Sequence, residues 1–166
     1  MLFRSYGSIR SAETVKGTIE AYTYPDEFAE CNGEKELVAG MKIGQQPRKK
    51  FGFCFRSQVG NDITEEAGYI LHILYGCTAS PSEKGYATKN DSPEAITFSW
   101  EFDTTPVPVV DGNGVAVSGA KPTATIEIDS RTVDATKLAA LEAILYGSSQ
   151  ADARLPLPYE IYTTLS

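Results

Sequence analysis

Between Glu94 and Asp103 the chain reads Glu-Ala-Ile-Thr-Phe-Ser-Trp-Glu-Phe-Asp, and large apolar residues fall on every second position. Successive side chains of a strand point to opposite faces, so Ile96, Phe98, Trp100 and Phe102 share one face and Ala95, Thr97, Ser99 and Glu101 the other. A helix cannot gather these residues on one side. The pattern is that of a half-buried antiparallel strand. It holds the chain's only Trp, and each large aromatic removes roughly 150–250 Å² from water when buried, so the core is expected to centre here.

Other stretches repeat the alternation. Phe51, Phe53, Phe55, Ser57 and Val59 oppose Gly52, Cys54, Arg56 and Gln58. Tyr69 to Cys77 is apolar on both sides, with Tyr69, Leu71, Ile73 and Tyr75 against Ile70, His72 and Leu74; it is expected to be covered on both faces. Val15 to Tyr24 reads as a strand with Gly17 as a bulge, and Thr123 to Asp129 as another. Val107 to Val117 suggests a small hairpin around Asp111-Gly112-Asn113-Gly114. Pro25-Asp26-Glu27 opens a short helix over Asp26 to Cys31, stopped by Asn32-Gly33. Glu34 to Lys50, broken by Gly40, Gly44 and Pro47, reads as loop with one short strand.

The one long helix is Asp134 to Tyr146, with Asp134 as N-cap, Gly147 as C′ residue and a stripe of Leu138, Leu141 and Leu145. Leu155-Pro156-Leu157-Pro158 is extended, because Pro restricts its predecessor. Tyr159 to Leu165 reads as a terminal strand or arm. The segment Thr78 to Pro93 is rich in turn residues and too long for a tight hairpin; loops of that length are functional or disordered. The fold class expected is mainly β (α+β): an antiparallel two-sheet sandwich or barrel with one flanking helix, in a single domain spanning residues 1–166.

Twenty-two acidic against fifteen basic residues leave a net charge of −7. A protein that grips nucleic acid through its phosphates needs a basic face, so tight binding is not expected. Arg48-Lys49-Lys50 is the one basic cluster, without interleaved aromatics, and reads as a solvated loop or strand edge. Cys31, Cys54 and Cys77 are odd in number and far apart, which fits reduced thiols better than a disulfide scaffold or zinc knuckle. No apolar run is long enough for a membrane span. No Gly-rich phosphate loop or metal-ligand cluster shows, so no cofactor is expected. His72 is the only His, and in an apolar strand it reads as structural rather than catalytic. Any two of the many acids could converge as a two-carboxylate glycosidase site, but no particular pair is marked; the residues alone describe an acidic β-rich domain with one helix that is not expected to be an enzyme.

Several words go further. Gly17-Thr18-Ile19-Glu20-Ala21-Tyr22-Thr23-Tyr24-Pro25-Asp26-Glu27-Phe28, then Tyr75-Gly76-Cys77-Thr78-Ala79-Ser80-Pro81-Ser82-Glu83, then Asn90-Asp91-Ser92-Pro93-Glu94-Ala95-Ile96, then Lys137-Leu138-Ala139-Ala140-Leu141-Glu142-Ala143-Ile144-Leu145-Tyr146-Gly147, and finally Leu155-Pro156-Leu157-Pro158 stand in that order. Together they resemble the major tail (tail tube) proteins of long-tailed bacteriophages and prophages of Gram-positive bacteria. The resemblance implies a tail-tube fold of two packed β-sheets flanked by a helix. It implies a structural virion protein, made in the bacterial cytoplasm, whose subunits form hexameric rings stacked into the tube that conducts DNA. Its partners would be copies of itself and other tail proteins, with neither membrane nor tight nucleic-acid contact. Related proteins carry a longer segment ahead of the Gly17 region, whereas Met1 to Lys16 precede it here, so a version shortened at its N-terminus is expected.

Within that frame the loop residues Pro81, Glu83, Tyr86 and Asp91 are candidates for contacts between subunits. Glu20, Glu101 and Glu127, each in an expected strand, are candidates to face the lumen. The alternative from a different class is a carbohydrate-binding or glycan-processing β-sandwich, carried by exposed Tyr residues and the many acids.

Overall fold

The computed structural model describes residues 14–60, 67–80 and 97–166. It is mainly β, with antiparallel sheets and two short helices. The elements run β1 (Lys16–Ala21), β2 (Lys35–Val38), β3 (Met41–Ile43), β4 (Phe51–Val59), β5 (Gly68–Ala79), β6 (Phe98–Thr104), β7 (Thr125–Asp129), α1 (Ala135–Tyr146) and α2 (Pro158–Leu165). β2 and β3 form a separate ribbon; the other five strands make one sheet that curls into a half-barrel.

The twelve-residue strand β5 organises that sheet. One of its edges pairs with β4 from Gly68 to Cys77. The other edge is divided: Ile70 to Leu74 pair with β7, and Cys77 to Ala79 pair with β6. Gly76 sits at the fork with φ +61, a conformation that costs a residue with a Cβ roughly 1–2 kcal/mol. A Cβ there would also lie 2.1 Å from the Thr105 carbonyl oxygen. The β4–β5 register slips at the same level, between Phe51 and Phe53, so a bulge changes which face the strand presents. Leu71, Ile73 and Tyr75 turn towards the helices, while Leu74 and Cys77 join Phe102 on the other side.

The helical side is built by α1. The Asp134 carboxylate accepts from the Thr136 and Lys137 N–H groups at 2.9 and 3.2 Å, a cap that stabilises by about 1 kcal/mol. The expected stripe of Leu138, Leu141 and Leu145 is buried on Leu71, Ile73, Tyr75 and Ile128. At roughly 1.5–3 kcal/mol per buried Leu, this contact is a principal support of the sheet.

Tyr159 to Leu165 is not a strand or arm but the helix α2, so two helices rather than one flank the sheet. Leu157 is extended, as its neighbouring prolines require, and Pro158 then takes the first helical position. Ile161 is buried with α1, and the Tyr75 hydroxyl donates to the Pro156 carbonyl at 2.7 Å, which fixes the approach of this segment.

The Trp100 strand is present as β6; Ile96 lies outside the described residues. Trp100 is enclosed by Tyr24, Phe28 and Phe98, with ring centroids 5.2–5.7 Å apart. The short helix read over Asp26 to Cys31 is a 3-10 turn at Asp26–Phe28, which brings Phe28 onto the indole. Gly17 is not a bulge. Its pairing with Phe102 lies in an unbroken register, and a Cβ at this position would meet the Phe102 ring at 2.7 Å. The Glu34–Lys50 region holds two strands, not one, joined at Gly40 (φ +84). Around Asp111 the hairpin reduces to a single bridge between Val110 and Ala116, with the Asp111 carboxylate accepting from the Asn113 and Val115 N–H groups.

Candidate functional site

The concave face of the half-barrel is a trough of about 540 Å³. β4 supplies Phe53 and Phe55, β5 supplies Leu74 and His72, β6 supplies Phe102, and β1 supplies Val15 and Ile19. The edge of β1 borders it on one side, and Glu127 on β7 brings a negative charge to the other. Its volume and apolar lining are those of a binding groove. β5 is thus covered by helices on one face, while its other face opens to the trough at His72. Phe55 stands 47% exposed there, because nothing among the described residues lies over it.

His72 is held at both nitrogens. Its Nδ1 lies 3.2 Å from the Glu127 carboxylate, and its Nε2 lies 2.7 Å from Ser57 Oγ. With Nδ1–H donating to the carboxylate, Nε2 accepts the Ser57 hydroxyl proton. Phe55 stacks on the imidazole at 4.6 Å, nearly parallel. The row arises because β4, β5 and β7 lie side by side, with Phe55 and Glu127 both directly across from His72. Hydroxyl, imidazole and carboxylate in this order can relay a proton in acyl transfer. Ser57 lies beside the trough rather than among its lining residues. The row fixes the imidazole and braces three strands. Neither Ser57 nor Glu127 is recognisable in the sequence as its partner.

The three acids named as lumen candidates divide. Glu20 and Glu101 lie on the same exposed face of the β1–β6 pair, where Thr18 stands across from Glu101 and Glu20 across from Ser99. Asp103 and Lys16, themselves a cross-strand pair, extend that face. Glu127 is on the other face of the sheet, beside His72. One wall can therefore present Glu20 with Glu101, but not Glu127 alongside them. Pro81, Glu83, Tyr86 and Asp91 fall outside the described residues; the first two residues of the long segment, Thr78 and Ala79, belong to β5.

Two residues of the basic cluster have partners in the fold. Arg48 donates to the carbonyls of Ala79 and Ser80 at 3.0 and 3.2 Å, tying the end of β5, and Lys49 pairs with Glu30 at 3.1 Å. Burial raises the thiol pKa of all three cysteines, that of Cys77 to about 11, so they are poor nucleophiles at neutral pH. Among the described residues no three His, Cys, Asp or Glu side chains converge to hold a metal ion, and no helix is long and apolar enough to cross a membrane.

A second surface went unread in the sequence. The ribbon of β2 and β3 stands out from the body, and its tip, Leu37-Val38-Ala39-Gly40-Met41, is exposed at every residue. Leu37, Val38 and Met41 are 53, 62 and 52% exposed. The signal was the unbroken apolar run itself, masked by Gly40, which suggested loop.

Fold and site together define a β-rich α+β protein whose main sheet is an open half-barrel with an apolar trough. No family model, curated protein or solved structure matches the chain.

Proposed function

We propose that this chain is a structural tail-tube subunit of a long-tailed bacteriophage or prophage, which associates with copies of itself into stacked rings that conduct DNA. The structural observation that carries the reading is the open-edged half-barrel. Among the described residues β1 pairs only with β6, and β4 only with β5. Unpaired N–H and C=O groups along such edges favour pairing with another chain, and a curved sheet with free edges is suited to continue from one subunit to the next. The ordered sequence words that resemble tail-tube proteins add the identity of the assembly. The proposed inter-subunit role of the loop with Pro81, Glu83, Tyr86 and Asp91 belongs to this reading.

The exposed β1–β6 face supports the conduit part. Glu20, Glu101 and Asp103 there outnumber Lys16, and like charge keeps DNA from lodging. Titration of a labelled DNA duplex with the protein tests this: no measurable affinity is expected even at low salt, where electrostatic binding is strongest. Micromolar binding that falls steeply with added salt would contradict it and would bring Lys49 and Lys50 forward as phosphate contacts.

A further inference from the structure

We infer that the apolar tip of the β2–β3 hairpin docks into the half-barrel trough of a second copy of the chain. The inference rests on the self-assembly reading and names a contact for it. Five consecutive exposed apolar residues, Leu37 to Met41, stand in solvent at the end of a charged ribbon. Such a run lowers solubility and is retained on a surface when it meets a partner. The trough is the matching concavity: apolar on its floor, open at Phe55, and bounded by the β1 and β7 edges. Within one copy the two do not meet, since the tip is exposed while the trough is open.

Charge agrees with shape. Lys35 flanks the tip on its stem, and the β7 rim of the trough carries Glu127. The Glu127 side chain is 68% exposed even while its carboxylate meets His72. Seating the tip between the rims lets Lys35 approach Glu127. The hairpin is held in place for this: Lys42 pairs with Asp26 at 3.0 Å, and the Gly40 N–H donates to the Glu36 carboxylate at 2.8 Å, closing the turn. A tip on one surface and a trough on another form a head-to-tail contact, which closes into rings or propagates as filaments.

Complementary variants test the contact. Met41→Asp spoils the tip and leaves the trough; Phe55→Asp spoils the trough and leaves the tip. Each residue is about half exposed, and circular dichroism with Trp100 emission verifies that the variants fold; Leu37→Asp serves as a second tip variant. In sedimentation velocity the wild type is expected to associate with concentration, and each variant alone to need at least tenfold more protein to do so. An equimolar mixture of Met41→Asp and Phe55→Asp should give a discrete two-copy species, since one intact tip meets one intact trough. Variants that associate like the wild type, or a mixture no larger than its components, would overturn the contact. Tubes formed equally well by Met41→Asp would overturn the contact and leave the tube reading standing. Association without tubes that Met41→Asp abolishes and the mixture restores would do the reverse, and a wild type that stays monomeric would overturn both.

Discussion

The Trp100 indole N–H donates to the Asn32 side-chain oxygen at 2.9 Å, across 68 positions of sequence. Asn32 is buried, and its amide nitrogen donates in turn to Glu34 at 3.0 Å. The bond ties the central strand to the turn that covers it. Asn32→Ala strands the indole donor in an apolar cluster and is expected to cost about 1–3 kcal/mol. Urea unfolding followed by Trp100 fluorescence measures it; an unchanged midpoint would mean that water reaches the indole.

Leu141 is 0% exposed at the centre of the α1 stripe. Leu141→Ala is expected to lower stability by about 2–5 kcal/mol, from lost transfer energy and the cavity left behind. A loss below about 0.5 kcal/mol, typical of surface sites, would mean that α1 does not support the sheet.

Gly76 and Gly40 separate two effects. Both have positive φ, but a Cβ at Gly40 meets nothing within 4 Å, whereas at Gly76 it strikes the Thr105 carbonyl. Gly40→Ala should cost about 1 kcal/mol from backbone strain alone. Gly76→Ala should cost clearly more and loosen the fork between β6 and β7, seen as faster amide exchange at Thr105 and Tyr75, whose N–H groups donate to the Gly76 and Ala124 carbonyls beside it. Equal losses for the two would show that the fork tolerates a side chain.

The strands were legible where one face is buried and the other is not: β4 and β6 announce themselves in Phe51-Phe53-Phe55 and Phe98-Trp100-Phe102. The helix α1 was legible from Asp134, its leucine stripe and Gly147. The fork at Gly76 was not, because alternation carries Tyr75 and Cys77 onto one face, and only the bulge, a property of paired strands, separates them. α2 was misread because Ile161, Thr163 and Thr164 favour extended chain; Pro158 at its first position and Glu160 in its first turn were the helix signals. The Ser57–His72–Glu127 row depends on which strands become neighbours, and the linear pattern does not contain strand order.

Asp129 supplies a pH prediction. The Arg131 guanidinium donates to its carboxylate at 2.9 and 2.6 Å, and with the Arg131 backbone N–H this holds the carboxyl at about 2. A carboxyl depressed by folding contributes stability above its unfolded value of about 3.9, and the contribution is lost as pH falls towards about 2. Arg131→Gln should raise the Asp129 midpoint towards the ordinary range in a carboxyl NMR titration. An unmoved midpoint would assign the shift to the backbone donor instead.

The proposed self-assembly into a tube is tested by electron microscopy of negatively stained, concentrated protein. Rings and tubes of one uniform width with a regular axial repeat are the expected result. Isolated 18.0 kDa particles that persist at every concentration, or irregular aggregates of varying width, would contradict it.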